Sequence, residues 1–229
     1  VKRLIILLAE ASLETIPKEI VNHPVIRRDA ARRREDPRFM ILDRARHHRA
    51  MLGLSDSERR GRPDITHQAL LLIQGSLLAH KGLVKTYIHT INDVIIDVNP
   101  AVRPPRNYNN FLGLMSQLFR EGSVPPSGEP LMRIMGVGVK SVLDLERPDG
   151  VFILDDVKGV KRDLSSFTAM LVSREKPLVV VGAYPHGAFS DYIYSLSNDI
   201  IKIGDYPMDT SWVLCKVITF IEHNLGLLS

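Results

Sequence analysis

Three short unbroken apolar runs constrain this chain most: Leu4 to Ala9, Val151 to Leu154 and Leu178 to Val181. A fourth, Ile200 to Ile203, is broken only by Lys202. A strand with one wet face alternates polar and apolar residues, whereas a run that is apolar throughout is buried on both faces. Runs of this kind separated by helical stretches predict an α/β fold with a mainly parallel sheet covered on both sides. Leu4 to Ala9 is too short to span a membrane and too quickly followed by Glu10 to be a secretory signal. The chain is therefore expected to be intracellular, with no membrane partner.

The first strand is expected at Lys2 to Ala9, followed by a helix over Ile16 to Val21. Further helices are expected at His47 to Leu54 and Asp64 to Leu78, the latter closed by Lys81-Gly82. Val84 to Thr90 and Val94 to Val98 read as a hairpin around Ile91-Asn92-Asp93. An extended connection from Asn99 to Pro105 leads into a helix over Asn110 to Arg120. Ser123 to Pro130, with three prolines and a glycine, reads as a linker or mobile loop. Beyond it the pattern is strand, a helix near Ser165 to Ser173, strand, strand, and a last helix over Asp209 to Leu225. That helix is apolar nearly all round and is expected to be buried within the fold or against a partner subunit. Cys215 lies in it, reads as a core residue, and cannot form an internal disulfide because it is the single cysteine.

The formal charge of +4 hides an asymmetry. Between Pro24 and Arg62 twelve arginines face six acids, so this segment carries +6 and the remainder about −2. Guanidinium groups bind phosphate in bidentate fashion and stack on bases, which favours nucleic acid. The competing reading is a solvated helix face with internal ion pairs such as Arg32 with Asp36. At the end of this segment Arg62-Pro63-Asp64-Ile65 opens a helix. Pro63 suits the first turn and Asp64 its positive dipole end. Arg62, just outside that end with a carboxylate two residues away, is either a structural ion pair or an oriented phosphate grip.

Several constellations fail. Gly136-x-Gly138-x-x-Ser141 lacks the third glycine of a dinucleotide loop and follows no convincing strand. No Walker loop, HExxH or serine-hydrolase elbow is present. His47 and His48 are adjacent, so on a helix they diverge by about 100° and chelate poorly. No metal is expected. The C-terminal third offers more: Val179-Val180-Val181-Gly182-Ala183-Tyr184-Pro185-His186-Gly187 and Ile201-Lys202-Ile203-Gly204-Asp205-Tyr206-Pro207-Met208 are each a strand running into a glycine-containing turn. Two such turns at one sheet edge are where open α/β sheets bind ligands.

The strings GRPDITHQALL, YIHTINDVIIDVNPAVRPPRNYNNFLGLMSQL, VVVGAYPHGAF and IIKIGDYPMDTSWVLCKVI closely resemble the small-subunit ribosomal RNA pseudouridine methyltransferases of the SPOUT, or α/β-knot, class. The similarity runs from about Leu42 to the C-terminus. It implies a single SPOUT domain over residues 1–229, with RNA-facing elements at about 24–110 and a trefoil-knotted cofactor site at about 151–229. It further implies a cytoplasmic homodimer of archaeal type that acts in ribosome biogenesis with small-subunit rRNA and ribosome-assembly proteins as partners. S-Adenosylmethionine would contact Ile153, Gly182, Gly187 and Ile201, Lys202, Ile203, Gly204, Asp205 and Tyr206. Arg62, Arg103, Arg106 and Asn110 would face RNA, with Asp64 holding Arg62 and only secondarily serving as a general base. The family often has an arginine at the place of Asn110, which reduces that contact to a neutral hydrogen bond and shifts charge recognition toward Arg27 to Arg34. The rival readings are a SPOUT enzyme for another RNA and an rRNA-binding assembly factor.

Overall fold

The computed structural model describes residues 1–228. In chain order its elements are β1 (Leu4–Ala11), α1 (Pro24–Arg33), α2 (Arg44–Met51), α3 (Pro63–Gly75), α4 (Leu77–His80), β2 (Val84–Thr90), β3 (Val94–Val98), α5 (Tyr108–Glu121) and β4 (Ser123–Val124). There follow β5 (Met132–Val137), α6 (Lys140–Glu146), β6 (Gly150–Leu154), β7 (Val160–Lys161), α7 (Leu164–Ser173), β8 (Pro177–Gly182), α8 (Asp191–Tyr194), β9 (Ile200–Lys202) and α9 (Thr210–Asn224). Among the described residues one sheet has the order β4-β5-β3-β2-β1-β8-β6-β9-β7. The strands from β2 to β7 in that order run parallel, and β3, β5 and β4 extend it antiparallel at one end.

The unbroken apolar strands lie at the sheet's centre, where both faces are covered. Leu4, Ile6 and Leu8 of β1 join α3, α5, α7 and α9 on one face, and Ile5, Leu7 and Ala9 join α6 and α8 on the other. A third cluster, including Ile20, Ile26, Met40, Leu42 and Met51, gives the arginine-rich segment a small core of its own.

β9 lies between β6 and β7 and pairs with both, Leu154 and Val160 each opposite Ile201. The loop joining β6 to β7 therefore arches over β9, a strand made some forty residues later. At the crossing, a Cβ on Gly159 would sit 2.2 Å from the Asp155 carbonyl oxygen and 2.7 Å from backbone atoms of Ile201 and Lys202. Only glycine lets the two segments pass.

Several local expectations are corrected. No helix forms over Ile16 to Val21, which Pro17 interrupts; it forms instead from Pro24, where His23 accepts a hydrogen bond from the Val25 amide at 3.2 Å. α1 then ends at Arg34 in the left-handed conformation, so Arg32 pairs with Asp29 and Asp36 with Arg38 rather than with each other. α2 begins at Arg44, capped by Asp43, three residues before the expected start. The helix from Pro63 breaks at Ser76, whose side chain caps α4 by accepting from Ala79. Gly136 lies within a strand, β5, and Gly138 directly follows it, but that strand belongs to the antiparallel end of the sheet. Ser123 and Val124, expected in a linker, pair with β5. The last helix buries Leu214, Val217, Ile218 and Ile221 while Trp212 stays 60% exposed, and Cys215 is only half-buried.

Candidate active site

The carboxyl ends of β6, β8 and β9 open into a cavity of about 580 Å³, closed on the far side by the first turns of α3 and α9. This volume suits a nucleoside-sized ligand. Both glycine turns border it. On the first, Gly187 has φ +99°, a backbone conformation that side-chain-bearing residues rarely adopt. A Cβ on Gly182 would fall 2.9 Å from the Tyr184 ring, so that ring can fold back over the strand end only because residue 182 lacks a side chain. The two turns are fastened together: Thr210, the first residue of α9, donates its hydroxyl hydrogen to the Gly182 carbonyl at 2.6 Å.

Aromatic rings fix the first turn from beneath. Tyr184, Phe189 and Tyr194 pack edge to face at centroid distances of 5.4 and 5.9 Å. Burial pushes the Tyr184 phenol well above its usual range. Tyr194 is pushed up to about 12 by burial and by its bond to a carboxylate, so it stays protonated and donates to Asp155 at 2.9 Å. Neither phenol is a base near neutral pH.

The rim is supplied by α3. Arg62 directs Nε and Nη2 at the two oxygens of Asp64, each 2.8 Å away, a bidentate fork. The hydrogen bonds that Arg62 donates to Asp64 raise the Arg62 pKa despite partial burial. Its side chain is 40% exposed, so the pair is oriented but not sealed. Asp64, Asp155, Asp156 and Asp209 border the cavity against Arg62 and Lys202. That balance favours a ligand carrying positive charge.

A family model described as EMG1/NEP1 methyltransferase matches residues 6–222. The chain belongs to that family. It is 45% identical over 226 residues to the ribosomal RNA small subunit methyltransferase Nep1 of Pyrobaculum aerophilum, covering 98% of this chain and 100% of that protein. The Saccharolobus solfataricus protein of the same name is 43% identical over 222 residues, covering 96% and 97%. The crystal structure of Archaeoglobus fulgidus Nep1 bound to S-adenosylhomocysteine superposes with a TM-score of 0.85 at 34% identity, covering 98% of this chain and 99% of that one. The fold is therefore the α/β knot of this family, in keeping with β9 seated beneath the β6–β7 loop.

In this EMG1/NEP1 chain, Gly182, Gly187, Ile201, Lys202, Ile203, Gly204 and Tyr206 line the cavity together with Arg62 and Asp64. Two expected cofactor residues lie elsewhere. Ile153 is fully buried in the core between β8 and β9, and Asp205 points outward to Lys161 at 2.6 Å. Arg103, Arg106 and Asn110 are exposed on the loop before α5 and on its first turn. His47 is buried and holds Asp29 at 3.3 Å, while His48 is exposed. Sequence reading missed Asp155 and Asp156, although they directly follow an apolar strand whose carboxyl end was the place to look. It also missed Thr210, whose role depends on a contact across 28 residues.

Proposed function

We propose that the protein is an S-adenosylmethionine-dependent methyltransferase that alkylates ring nitrogen 1 of a pseudouridine in a loop of small-subunit ribosomal RNA, in ribosome biogenesis. The observation that carries this reading is that the Arg62–Asp64 pair stands on the rim of the same cavity that both glycine turns border. Residues that grip a phosphate and residues that cradle a nucleoside-sized cofactor then meet in one place.

The site fits the cofactor. The backbone of Ile201 to Gly204 and the turn at Gly187 offer amide and carbonyl groups at strand ends, and the acidic lining suits a sulfonium and an ammonium group. When bound, the cofactor supplies an electrophilic methyl group. The chain's own task is to orient the acceptor base and exclude water. Pseudouridine is joined to ribose through carbon and keeps a proton on ring nitrogen 1; uridine uses that nitrogen in its glycosidic bond. Arg62, Arg103, Arg106 and Asn110 hold the RNA in this reading, leaving a flipped base over the cavity. Both Asp64 oxygens are engaged by Arg62, so Asp64 positions Arg62; acting as a base would require the pair to open.

The quoted relatives are archaeal proteins, and the reading accordingly places the protein in the cytoplasm. A homodimer is supported by Trp212 and Phe220, large apolar residues left exposed on α9. Calorimetric titration with S-adenosylhomocysteine tests the cofactor assignment. Saturable one-to-one binding per chain is expected, and no binding by folded protein would overturn it.

A further inference from the structure

Three arginines within four positions, Arg59, Arg60 and Arg62, reach three different places. Arg60 forms a fork onto Glu14, just past the end of β1, at 2.8 and 2.7 Å. Gly61 follows at φ +67°, where a Cβ would lie 3.1 Å from the Arg44 amide nitrogen. The Arg62 amide then donates to the Ser12 carbonyl at 3.1 Å, and its side chain reaches the cavity rim.

Arg59 turns the other way, toward the first glycine turn. Its Nη2 donates to Glu10 at 2.8 Å, its Nη1 donates to the Ala188 carbonyl at 2.7 Å, and its guanidinium lies over the Tyr184 ring at 4.0 Å. Glu10 completes the clasp by accepting from the Ser190 amide at 3.1 Å. Glu10 also sits at the irregularity one residue before the end of its strand, at φ +50°, an unusual conformation for a residue with a side chain. Ser12 ties the same strap from behind, donating its hydroxyl hydrogen to the Arg59 carbonyl. One rigid segment thus grips the turn that borders the cavity and, three residues on, presents Arg62.

We infer that Arg59 is a positioning residue that couples the two halves of the site, so that ordering the turn at Tyr184 to Ser190 around the cofactor sets Arg62 for RNA. The inference rests on the function proposed above. The coupling it predicts is reciprocal: cofactor tightens RNA, and RNA tightens cofactor by the same factor. A lysine at this position would keep a charge beside Glu10 but could neither lie flat on Tyr184 nor hold two partners at once.

The test is RNA affinity with and without saturating S-adenosylhomocysteine, in wild type, Arg59→Ala, Arg59→Lys and Tyr184→Leu. In wild type the cofactor is expected to tighten binding of a pseudouridine loop RNA about tenfold, within the usual range for coupled sites. In all three variants that factor should fall toward one, with cofactor-free RNA affinity within about twofold of wild type. A merely structural role would lower melting temperature and weaken both ligands together, leaving the ratio unchanged. An unchanged ratio in any folded variant, or no coupling in wild type, overturns the inference alone. Wild type that binds neither ligand overturns the proposed function and this inference with it.

Discussion

His67 donates from Nε2 to the carbonyl oxygen of Pro105 at 2.7 Å while its ring stacks on Phe111 with centroids 4.5 Å apart. A carbonyl can only accept, so this fixes the hydrogen on Nε2. The bond pins the loop carrying Arg103 and Arg106 against α3, one turn beyond Arg62 and Asp64. His67→Phe keeps a ring on Phe111 but removes the donor, at a cost of about 1 to 1.5 kcal/mol. RNA affinity is expected to fall about five- to tenfold by fluorescence anisotropy, with S-adenosylhomocysteine affinity unchanged.

Arg62, Arg103 and Arg106 should each neutralise about one phosphate. Single alanine substitutions are then expected to reduce the magnitude of the salt slope of RNA binding by about 0.7 each. Lost affinity with an unchanged slope would mean base contacts, and no loss would remove that residue from the RNA surface.

Two glycines should fail in different ways. Gly187→Val places a branched side chain at φ +99°, with about 1 to 3 kcal/mol of strain in an open turn. At least a tenfold loss of S-adenosylhomocysteine affinity is expected in a protein that still folds, its melting temperature lowered by about 2 to 4 °C per kcal/mol of that strain. Gly159→Ala places a methyl group inside backbone of its own loop and of β9, so misfolded or insoluble protein is expected. Calorimetry and thermal unfolding distinguish the two.

His47 gives the arginine-rich segment a pH dependence. Its Nδ1 accepts from the Asp43 amide at 3.0 Å and its Nε2 donates to Asp29, so the folded state holds it neutral. Burial lowers its pKa below the ordinary 6.5, against the pull of Asp29. Below about pH 6.5 the unfolded chain therefore takes up a proton that the folded chain resists, and stability falls as pH falls. Melting temperature measured from pH 7.5 to 5.5 should decline in wild type and decline less in His47→Gln.

Much of this was legible in the sequence because each signal was local. The apolar strands, the hairpin and the two glycine turns depend on residues adjacent in the chain. Pro63 and Asp64 likewise declare the start of α3 without help from elsewhere. What was missed depended on competition or distance. Arg32 could not pair with Asp36 because Arg34 ends the helix first. Ile153 and Asp205 sit beside cavity residues in sequence, yet the pleat of the sheet and the reach of Lys161 turn them away from it. Glu10 and Arg59 are 49 residues apart, and nothing short of the fold brings them together.

The central claim is tested most directly by incubating the purified protein and S-adenosylmethionine with two loop RNAs that differ only in carrying pseudouridine or uridine at the target position, followed by mass spectrometry of the digested nucleosides. The acceptor nitrogen is free in one and bonded to ribose in the other, so discrimination should be nearly absolute rather than a ratio of affinities. One methyl group on pseudouridine and none on uridine is the predicted result. Equal methylation of both RNAs would contradict the substrate assignment.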